Sequence, residues 1–477
     1  MSLKRKELKR RKRNKMKAAL IILFSLVSLL SATDKPNIII IFTDDMGYSD
    51  IGPFGNKKHS TPHLDRMAKE GRKFTAFYVS SSACTPSRSA LLTGTYADRI
   101  GMGRSVVFPA DARGLNTSEI TIAEMLKENG YTTGCFGKWH LGDAPEFMPL
   151  NQGFDEYEGI PYSNDMWVKG NKKRNFPPLA WMKQDKAIAH IPDNESQTVL
   201  QDAITDATVD FIKRHKNQPF FAYVPHAAVH APHIVSPERL KAAGDDVMKA
   251  LISEVDNSTG RILETLRELG IDKKTLVIFT NDNGGAGKTT SFPLKGHKFG
   301  PKYEGHMRVS TLAWWPENIP AGTVTGEIGA SIDILPTIAK ITGAKVPSDR
   351  IIDGKDYSNV LLGKEGAKSP HETLFYEKDG VRQGKWKLVV YSKREKKGTP
   401  PKAFTELYNL DEDIGESNNL ADKYPEIVTK LKKLLDSHVK ELEANQRPAG
   451  TTENPKVLLT HEAAKSLPTL HELRNKK

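Results

Sequence analysis

The stretch "KPNIIIIFTDDMG", residues 35–47, is a continuous β-branched apolar run followed directly by two acidic residues. An unbroken run of this kind is typical of a strand buried on both faces of a mostly parallel sheet. Similar runs recur in "PFFAYVPH", residues 219–226, and "TLVIFTNDNGG", residues 275–285. Together with the helices predicted between them, these strands indicate an α/β fold with a large, mostly parallel or mixed central sheet flanked by helices.

Side chains that can do chemistry follow the end of each predicted strand. In open α/β sheets, ligands bind beyond the carboxyl ends of the strands, so we expect these side chains to meet in one crevice. An Asp-Asp pair alone is usually a solvated turn or a helix cap, but four such strand ends in one chain indicate a site. The residues concerned are Asp44 and Asp45, Lys138 and His140 after "GYTTGCFG", His226, His230 and His233, and Asp282 and Asn283.

The acidic residues at these strand ends suggest the kind of ion that is bound. Carboxylate and amide oxygens suit a hard cation such as Ca²⁺ or Mg²⁺ better than zinc. The histidines of "HAAVHAPH", residues 226–233, allow a zinc cluster as an alternative, or simple packing histidines, but no acidic partner lies near them in sequence. The all-oxygen set consists of Asp44, Asp45, Asp282 and Asn283.

The chain begins with a basic segment and then a short apolar one. Residues 1–17 hold ten Lys and Arg against one Glu, and residues 18–32 carry no charge. This order is typical of a signal peptide cleaved near Ala32, which predicts export to a periplasmic, extracellular or lumenal space. The apolar run has 15 residues, fewer than the roughly 18 that a spanning helix needs, so no stable membrane span is expected.

The positive charge of the chain is concentrated in that same segment. Residues 1–17 carry +9 of the formal net charge of +12, so the rest of the chain carries only +3. No nucleic-acid partner is therefore expected, although local cationic patches can receive an anionic substrate. Two cysteines in 477 residues do not make a disulfide framework.

Changes in composition and in predicted secondary structure divide the chain into four segments. Beyond about residue 345, the strand–helix alternation gives way to a predicted hairpin around Asp379 and a Lys-rich amphipathic helix over 424–445. We therefore predict a smaller α+β region with an antiparallel sheet, followed by a poorly ordered tail. The predicted boundaries are 1–32 for the signal peptide, 33–345 for the N-terminal α/β domain, 346–446 for the α+β region and 447–477 for the tail.

One of the two cysteines lies in "SSACTPSRSALLTG", residues 81–94. Residues 87–93 resemble the first turns of a helix closed by Gly94, which places Cys84 at a helix N-terminus, where negative charge is favoured. A thiolate nucleophile is one interpretation, and a disulfide with Cys135 is another. The run from Cys84 to Arg88 also resembles the Cys-x-Pro-x-Arg motif of the type I, formylglycine-dependent sulfatases.

This resemblance covers most of the chain. It includes "GKWHLG" at 137–142, "GFDEYEGIPYSND" at 153–165 and "FTNDNGG" at 279–285, and it is closest to the arylsulfatase A and N-acetylgalactosamine-6-sulfatase branch. It implies an alkaline-phosphatase-like fold in a sulfuric ester hydrolase. The implied substrate is a sulfated saccharide or an aryl sulfate.

The resemblance also implies roles for single residues. Cys84 is expected to be oxidised by a formylglycine-generating maturation enzyme to Cα-formylglycine, whose hydrate attacks sulfur. Arg88 is expected to orient and stabilise that hydrate, while Lys138 and His140 contact it. One Ca²⁺ per chain, with Mg²⁺ as the less favoured ion, is expected at Asp44, Asp45, Asp282 and Asn283.

Other residues are expected around the substrate sulfate. Ser163 and His230 match positions beside it, while Asn164 stands where the arylsulfatase A pattern has histidine. The proton transfers need groups that titrate near neutral pH, which suits His140 for the hydrate and His230 for the leaving alcohol. A divalent cation and nearby Lys and Arg stabilise the charge that builds on the sulfate oxygens.

A further lysine should bind the sulfate, but the family spacing does not fit. Relatives place it five residues before the Glu of a "YEGG"-type segment, and here that position is Phe299 in "LKGHKFGPKYEGHMRV", residues 294–309. One residue inserted in the turn near Gly300 assigns the role to Lys298, because a turn absorbs an extra residue at little cost. Lys302 is the rival assignment.

Three questions stay open at this point. The same superfamily contains phosphate-ester hydrolases, which often use two metals and a Thr or Ser nucleophile. A sulfated-glycan-binding protein that has lost catalysis is an alternative from another class. Residues 165–186 alternate aromatic and cationic side chains, which fits either a sugar-binding rim or a solvated loop with packed aromatics.

Overall fold

The structure is a computed structural model that describes residues 35–169, 174–394 and 400–476. The predicted signal peptide, residues 1–32, lies outside the described residues. In the part of the chain that is described, no helix combines the length and the apolar character that a bilayer crossing requires.

The strands of the described residues, in chain order, are β1 (Asn37–Thr43), β2 (Arg72–Tyr78), β3 (Arg113–Gly114), β4 (Thr132–Lys138), β5 (Glu156–Ile160), β6 (Leu179–Lys183), β7 (Lys186–Ile191), β8 (Phe220–Pro225), β9 (Thr275–Asn281), β10 (Arg308–Trp314), β11 (Thr323–Thr325), β12 (Gly329–Ala330), β13 (Thr373–Tyr376), β14 (Gly380–Gln383), β15 (Trp386–Lys393), β16 (Lys402–Asn409) and β17 (Gly450–Thr451).

The α-helices of the same residues are α1 (Pro62–Glu70), α2 (Cys84–Thr93), α3 (Ile122–Glu128), α4 (Asn194–Thr198), α5 (Leu200–His215), α6 (Pro237–Ala242), α7 (Val247–Glu268), α8 (Glu304–Met307), α9 (Ile334–Thr342), α10 (Ser358–Leu361), α11 (Pro425–Ala444), α12 (His461–Ala464) and α13 (Leu470–Asn475).

A mixed sheet forms the centre of the molecule. Among the described residues it has eleven strands, in the order β11-β2-β10-β9-β1-β8-β4-β5-β6-β7, with β12 beside β2. The four strands predicted from sequence are neighbours in the order β9-β1-β8-β4, and they run parallel. Those strand predictions are confirmed. Since the carboxyl ends of parallel strands share one edge, the polar residues after these four strands are brought together.

Strand β1 is buried on both faces, as its unbroken apolar run predicts. Ile38 and Ile40 pack into one core cluster, which includes residues of α3 and α9, while Ile39 and Ile41 pack into another, which includes residues of α1, α5 and α7. All four side chains are fully buried. Each contributes roughly 1.5–3 kcal/mol of burial free energy, so the strand fixes its acidic carboxyl end rigidly.

A smaller antiparallel sheet lies after the main sheet in sequence, in the order β13-β14-β15-β16. The predicted hairpin is confirmed, since Tyr376 on β13 pairs with Gly380 on β14. The Lys-rich helix α11 covers this sheet, where Leu431 and Leu435 pack with Leu388. The exact domain boundaries at 345 and 446 stay a prediction.

The C-terminal segment differs from the poorly ordered tail that we predict for residues 447–477. The Arg447 Nε atom donates to Glu119 Oε1 at 2.7 Å, and β17 pairs with β3. Leu459 and Leu470 join the two main core clusters. The prediction fails because the polar composition of the tail hides a few apolar side chains whose partners lie hundreds of residues earlier.

Candidate active site

Helix α2 places Cys84 at the edge where the four strands end. The helix begins at Cys84 itself, after Ala83 in an extended conformation, and it ends at Gly94, whose φ of 68° lies in the left-handed region that glycine tolerates. All of its residues are buried, and Cys84 is 2% exposed. The Cys84 Sγ atom lies 3.8 Å from Asp44 Oδ1. The helix N-terminus thus faces the acidic residues after β1.

The predicted oxygen ligands meet at this point. Asp44 and Asp45 follow β1, and Asp282 and Asn283 follow β9. The Asp45 backbone N–H donates to Asp282 Oδ1 at 3.3 Å, and the Asn283 Nδ2 atom donates to Asp45 Oδ1 at 2.7 Å. All four side chains are buried. The structure therefore joins into one cluster residues that are about 240 positions apart in sequence.

Two observations fit this cluster to a hard cation. The Oδ1 atom of Asn283 is buried and has no hydrogen-bond partner, which is costly for an amide oxygen unless a ligand occupies the space in front of it. Beside it lie three buried carboxylates, whose oxygens suit a hard cation. Single ligand atoms of Asp44, Asp45, Cys84 and His230 also lie within 4.8 Å of one another. Two of these four ligand atoms are carboxylate oxygens, and the adjacent Asp282 and Asn283 offer further oxygens of the kind that Ca²⁺ prefers.

Arg88, one turn along α2, ties the carboxylates together. Its Nη2 atom donates to Asp282 Oδ2 at 2.9 Å and to Asp44 Oδ2 at 3.1 Å, and its Nη1 atom donates to the Lys138 carbonyl at 3.1 Å. The guanidinium is fully buried. Its contacts are thus with the acidic cluster and the end of β4, and it fixes the positions of both.

Lys138 connects the cluster to the far wall of the site. Its Nζ atom forms an ion pair with Asp44 and donates to Ser163 Oγ at 3.1 Å. Ser163 Oγ in turn lies 3.5 Å from His230 Nδ1, and His230 Nε2 lies 3.5 Å from Asp45 Oδ2. Lys138, Ser163 and His230 therefore surround the same space as the carboxylates.

The structure places the two rival lysines differently. Lys298 Nζ lies 2.7 Å from Cys84 Sγ and 2.7 Å from Asp45 Oδ1, with 6% of its side chain exposed. Lys302 Nζ instead donates to Ser82 Oγ at 2.8 Å and pairs with Glu377 at 2.9 Å. Only Lys298 of these two reaches the cluster.

His140 has a tautomer set by its surroundings. Its Nε2 atom lies 3.1 Å from the Val107 carbonyl, which can only accept, so Nε2 carries the hydrogen. Its Nδ1 atom is buried and has no hydrogen-bond partner. The sequence did not identify the two residues that hold this geometry, Val107 and Thr85. The Thr85 Oγ1 atom donates to the His140 carbonyl at 2.9 Å and accepts from the Val107 N–H at 3.2 Å. The only sequence signal is the position of Thr85 inside the cysteine motif.

Burial and charge shift the titration of these groups. Burial disfavours the ionised Asp44 carboxylate, but Lys138, His230 and Arg88 outweigh it and hold the pKa of Asp44 well below its ordinary value. Burial raises the pKa of the Cys84 thiol to about 12, although Lys138 and Lys298 oppose that rise. Burial, reinforced by Lys138 and Arg88, holds the pKa of His140 well below its ordinary value. His140 is therefore neutral at pH 7, and the unmodified thiol is protonated.

Two alternatives from the sequence receive no structural support. Cys84 and Cys135 are both free thiols, so the disulfide interpretation does not hold here. The three histidines of 226–233 form no cluster of their own among the described residues. His226 is buried between Gln201 and Ser258, and only His230 joins the acidic group.

An open cavity of about 350 Å³ leads to the cluster. Cys84 lies at it, and Phe108 and Phe299 contribute aromatic rings to its wall, the latter 56% exposed. The aromatic residues expected to form a rim over 165–186 are packed instead: Trp167, Phe176 and Trp181 are buried. Lys172 and Lys173 lie outside the described residues. Asn164 does not line the cavity, since its amide faces Gln197.

Comparisons with known proteins agree with this geometry. A family model described as Sulfatase matches residues 36–344, and one described as N-sulphoglucosamine sulphohydrolase, C-terminal, matches residues 299–441. The chain is 35% identical to Arylsulfatase A of Homo sapiens, over 87% of this chain and 89% of that protein. It is 37% identical to N-acetylgalactosamine-6-sulfatase of Mus musculus, over 75% and 72%.

A solved structure from work on the metabolism of multiple glycosaminoglycans by Bacteroides thetaiotaomicron superposes with a TM-score of 0.74 and 27% identity, over 85% of this chain and 99% of that one. The predicted alkaline-phosphatase-like α/β fold is confirmed. The family model covers well over half of the chain, and Arylsulfatase A aligns over 87% of it. The chain belongs to the sulfatase family and is a sulfuric ester hydrolase.

Proposed function

We propose that this protein hydrolyses sulfate esters of a sulfated carbohydrate through a formylglycine made from Cys84, with one Ca²⁺ ion bound beside it. The observation that carries the proposal is the position of Cys84 Sγ, which lies 2.7 Å from Lys298 Nζ and 3.8 Å from Asp44 Oδ1. At this point a buried acidic cluster and two ammonium groups meet at the bottom of an open cavity. In its hydrated form, formylglycine would supply one hydroxyl that takes the sulfuryl group as the alcohol leaves, and a second whose deprotonation would expel sulfate and restore the aldehyde.

The acidic cluster would hold the ion. Asp44, Asp45 and Asp282 offer carboxylate oxygens, and Asn283 offers the buried amide oxygen that lacks a partner. A bound divalent cation supplies positive charge to sulfate oxygens, which need it most in the transition state. Arg88 holds two of these carboxylates at 2.9 and 3.1 Å, so we assign it the task of orienting the ligands as well as residue 84.

Lys138 and Lys298 would bind the sulfate group. Their ammonium groups approach Asp44 and Asp45 respectively, and both are largely shielded from water. Ammonium groups fixed in advance around a developing negative charge, in a water-poor pocket, stabilise a transition state by several kcal/mol. Ser163 Oγ, 3.1 Å from Lys138 Nζ, fixes the direction of that lysine.

The two histidines would move protons. His140 presents its bare Nδ1 atom, because Val107 holds the hydrogen on Nε2, so we propose that the neutral imidazole accepts the proton of the hydrate. Burial holds its pKa below the near-neutral value expected from the sequence, which makes it a weaker base than expected. His230 directs Nδ1 at the Ala231 carbonyl at 2.6 Å, which leaves its Nε2 atom near Asp45 Oδ2 at 3.5 Å. We assign His230 to protonation of the leaving alcohol.

The leaving group is proposed to be a sugar. Phe108 and Phe299 line the cavity, and aromatic rings suit the apolar face of a sugar as well as an aryl group. A relative is named for N-acetylgalactosamine-6-sulfate chemistry, and a structural neighbour belongs to glycosaminoglycan metabolism. We further propose that the segment 1–32 directs export of the chain, and that a maturation enzyme oxidises Cys84 during export.

A comparison of two aryl esters tests the reaction class. With formylglycine in place, we expect kcat/KM for p-nitrophenyl sulfate to exceed that for p-nitrophenyl phosphate by roughly 100-fold or more, because the described residues form one acidic cluster, enough for a single ion, whereas phosphate-ester hydrolases of this superfamily often use two metals. A preference for phosphate would instead support the phosphate-ester alternative. Absence of turnover with both esters would support a binding protein that has lost catalysis.

Removal of the metal has a separate expected result. Prolonged dialysis against EDTA should abolish turnover, and Ca²⁺ should restore it better than Mg²⁺, because the ligands are oxygen atoms and Ca²⁺ accepts irregular coordination that Mg²⁺ does not. Elemental analysis of the untreated protein checks the stoichiometry, which we expect to be about one calcium per chain. Stoichiometric zinc without calcium or magnesium would contradict the assignment.

A further inference from the structure

A second cavity opens beside the active site. It has a volume of about 730 Å³ and lies between the loop at 49–59 and the loop at 286–293. The two cavities share the second loop, because Gly287 lines the first and the next residue, Lys288, lines the second. The two cavities are therefore neighbours along this loop.

The second cavity has a small excess of positive charge, since three lysines line it against two aspartates. Lys57, Lys58 and Lys288 are exposed at it and form no ion pair with a carboxylate among the described residues. Its acidic residues are already occupied by the backbone. Asp50 accepts from the Gly47 and Thr290 N–H groups at 2.7 and 2.9 Å.

Asp246 likewise caps α7, where its Oδ1 atom accepts from the N–H groups of Met248 and Lys249 at 3.0 and 3.1 Å. Neither acidic residue of the cavity is therefore paired with one of its three lysines. An exposed cation without a partner attracts anions through water.

Hydrogen bonds hold the walls of this cavity in place. The Ser49 N–H donates to the Thr290 carbonyl at 3.0 Å, which joins the two loops. Asn56 Oδ1 accepts from the Lys58 and His59 N–H groups at 2.8 and 2.7 Å, while Asn56 Nδ2 donates to the Ser49 carbonyl at 2.9 Å. The lysines thus stand on a fixed turn.

Two phenylalanines, Phe54 and Phe292, line the cavity, and Phe292 is the exposed one. Phe292 lines it with 79% of its surface exposed, although a phenylalanine usually avoids water. A ring of this kind beside unpaired cations fits a ligand that has both an apolar face and negative charge. A sulfated sugar has both.

We propose that this cavity binds a second sulfated sugar of the same substrate chain, while the catalytic cavity holds the sugar whose sulfate is removed. The proposal rests on the proposed function, since it takes the substrate to be a sulfated carbohydrate. It adds that the preferred substrate is longer than one sugar. The cations at 57, 58 and 288 recognise the neighbouring sulfate, and Phe292 packs against the sugar ring.

The test compares a short probe with a long one on the same enzyme. Turnover of p-nitrophenyl sulfate is measured in the presence of dextran sulfate as inhibitor, at low and at physiological ionic strength. For the triple variant Lys57→Gln, Lys58→Gln, Lys288→Gln, we expect the inhibition constant of dextran sulfate to rise roughly 10-fold relative to KM for p-nitrophenyl sulfate, as three exposed ion contacts are lost. The difference should shrink as salt rises.

A matched variant provides the control. Helix α11, which covers the small sheet, carries three exposed lysines: Lys430, Lys433 and Lys440. Their replacement by Gln removes the same amount of charge as the first variant. Equal inhibition constants for wild type and the first variant, or an equal rise in both variants, would overturn the proposal. Circular dichroism and thermal unfolding check that each variant is folded. A wild-type enzyme that carries formylglycine but does not turn over p-nitrophenyl sulfate would contradict the proposed function instead, so the two failures are separable.

Discussion

Replacement of Cys84 by alanine is expected to abolish sulfate-ester turnover, with a loss of roughly 10⁴-fold or more, as for removal of other covalent nucleophiles. The reason is positional: Cys84 is the residue at which Lys298, Asp44 and the catalytic cavity meet. Cys84→Ser should fail equally, because an ordinary hydroxyl has no second hydroxyl with which to expel sulfate. Turnover of p-nitrophenyl sulfate, measured on protein made together with a maturation enzyme, gives the result.

Mass spectrometry of the peptide that contains residue 84 provides the decisive companion measurement. We expect formylglycine in the active protein, and activity in proportion to its fraction. Cys135→Ala is the matched control, since Cys135 is also a free buried cysteine but lies within β4 and away from the cavity lining. It should cost stability rather than turnover per folded molecule. A fully active enzyme with an intact cysteine at 84 would disprove the mechanism.

Lys298→Ala is expected to lower kcat/KM by roughly 100-fold or more, because it removes a preorganised ammonium group from the sulfate site. Its Nζ atom is 2.7 Å from both Cys84 Sγ and Asp45 Oδ1, which no other lysine of the 294–309 segment matches among the described residues. Both kcat and KM should be affected, since the same ammonium binds the ester and its transition state. Steady-state kinetics with p-nitrophenyl sulfate measure the change.

Lys302→Ala is the control for that variant. Lys302 is four residues away and carries the same charge, but it is paired with Glu377 and Ser82. We expect less than about a 10-fold change in kcat/KM, together with some loss of stability from the uncompensated Glu377. The opposite ranking of the two variants would move the sulfate-binding role to Lys302.

Much of the fold and part of the site follow from short-range sequence features. The β-branched runs predict β1, β8 and β9, because a strand covered on both faces has no polar side to display. The acidic residues after β1 and β9 could be paired in advance, since parallel strands end at a common edge. The structure brings them within hydrogen-bond distance.

What the sequence could not predict depends on contacts between distant segments. The tautomer of His140 is set by a carbonyl at Val107 in an irregular loop, for which no sequence pattern exists. The choice between Lys298 and Lys302 depends on how one loop turns, and spacing alone left it open. Trp167 and Trp181 looked suited to a sugar-binding rim, but they are buried by partners that the local sequence does not reveal.

The burial of helix α2 has a consequence for the order of events during biosynthesis. Every residue of this helix is buried, and Cys84 is 2% exposed, so a second protein cannot bind the segment around the thiol once the protein has folded. The proposed oxidation must therefore occur while the nascent chain is still open, in competition with its own folding. A chain that folds before it is oxidised keeps an unmodified, buried cysteine at position 84. The active fraction of a preparation then records the relative speeds of modification and folding at synthesis, and later addition of the maturation enzyme to folded protein cannot raise it.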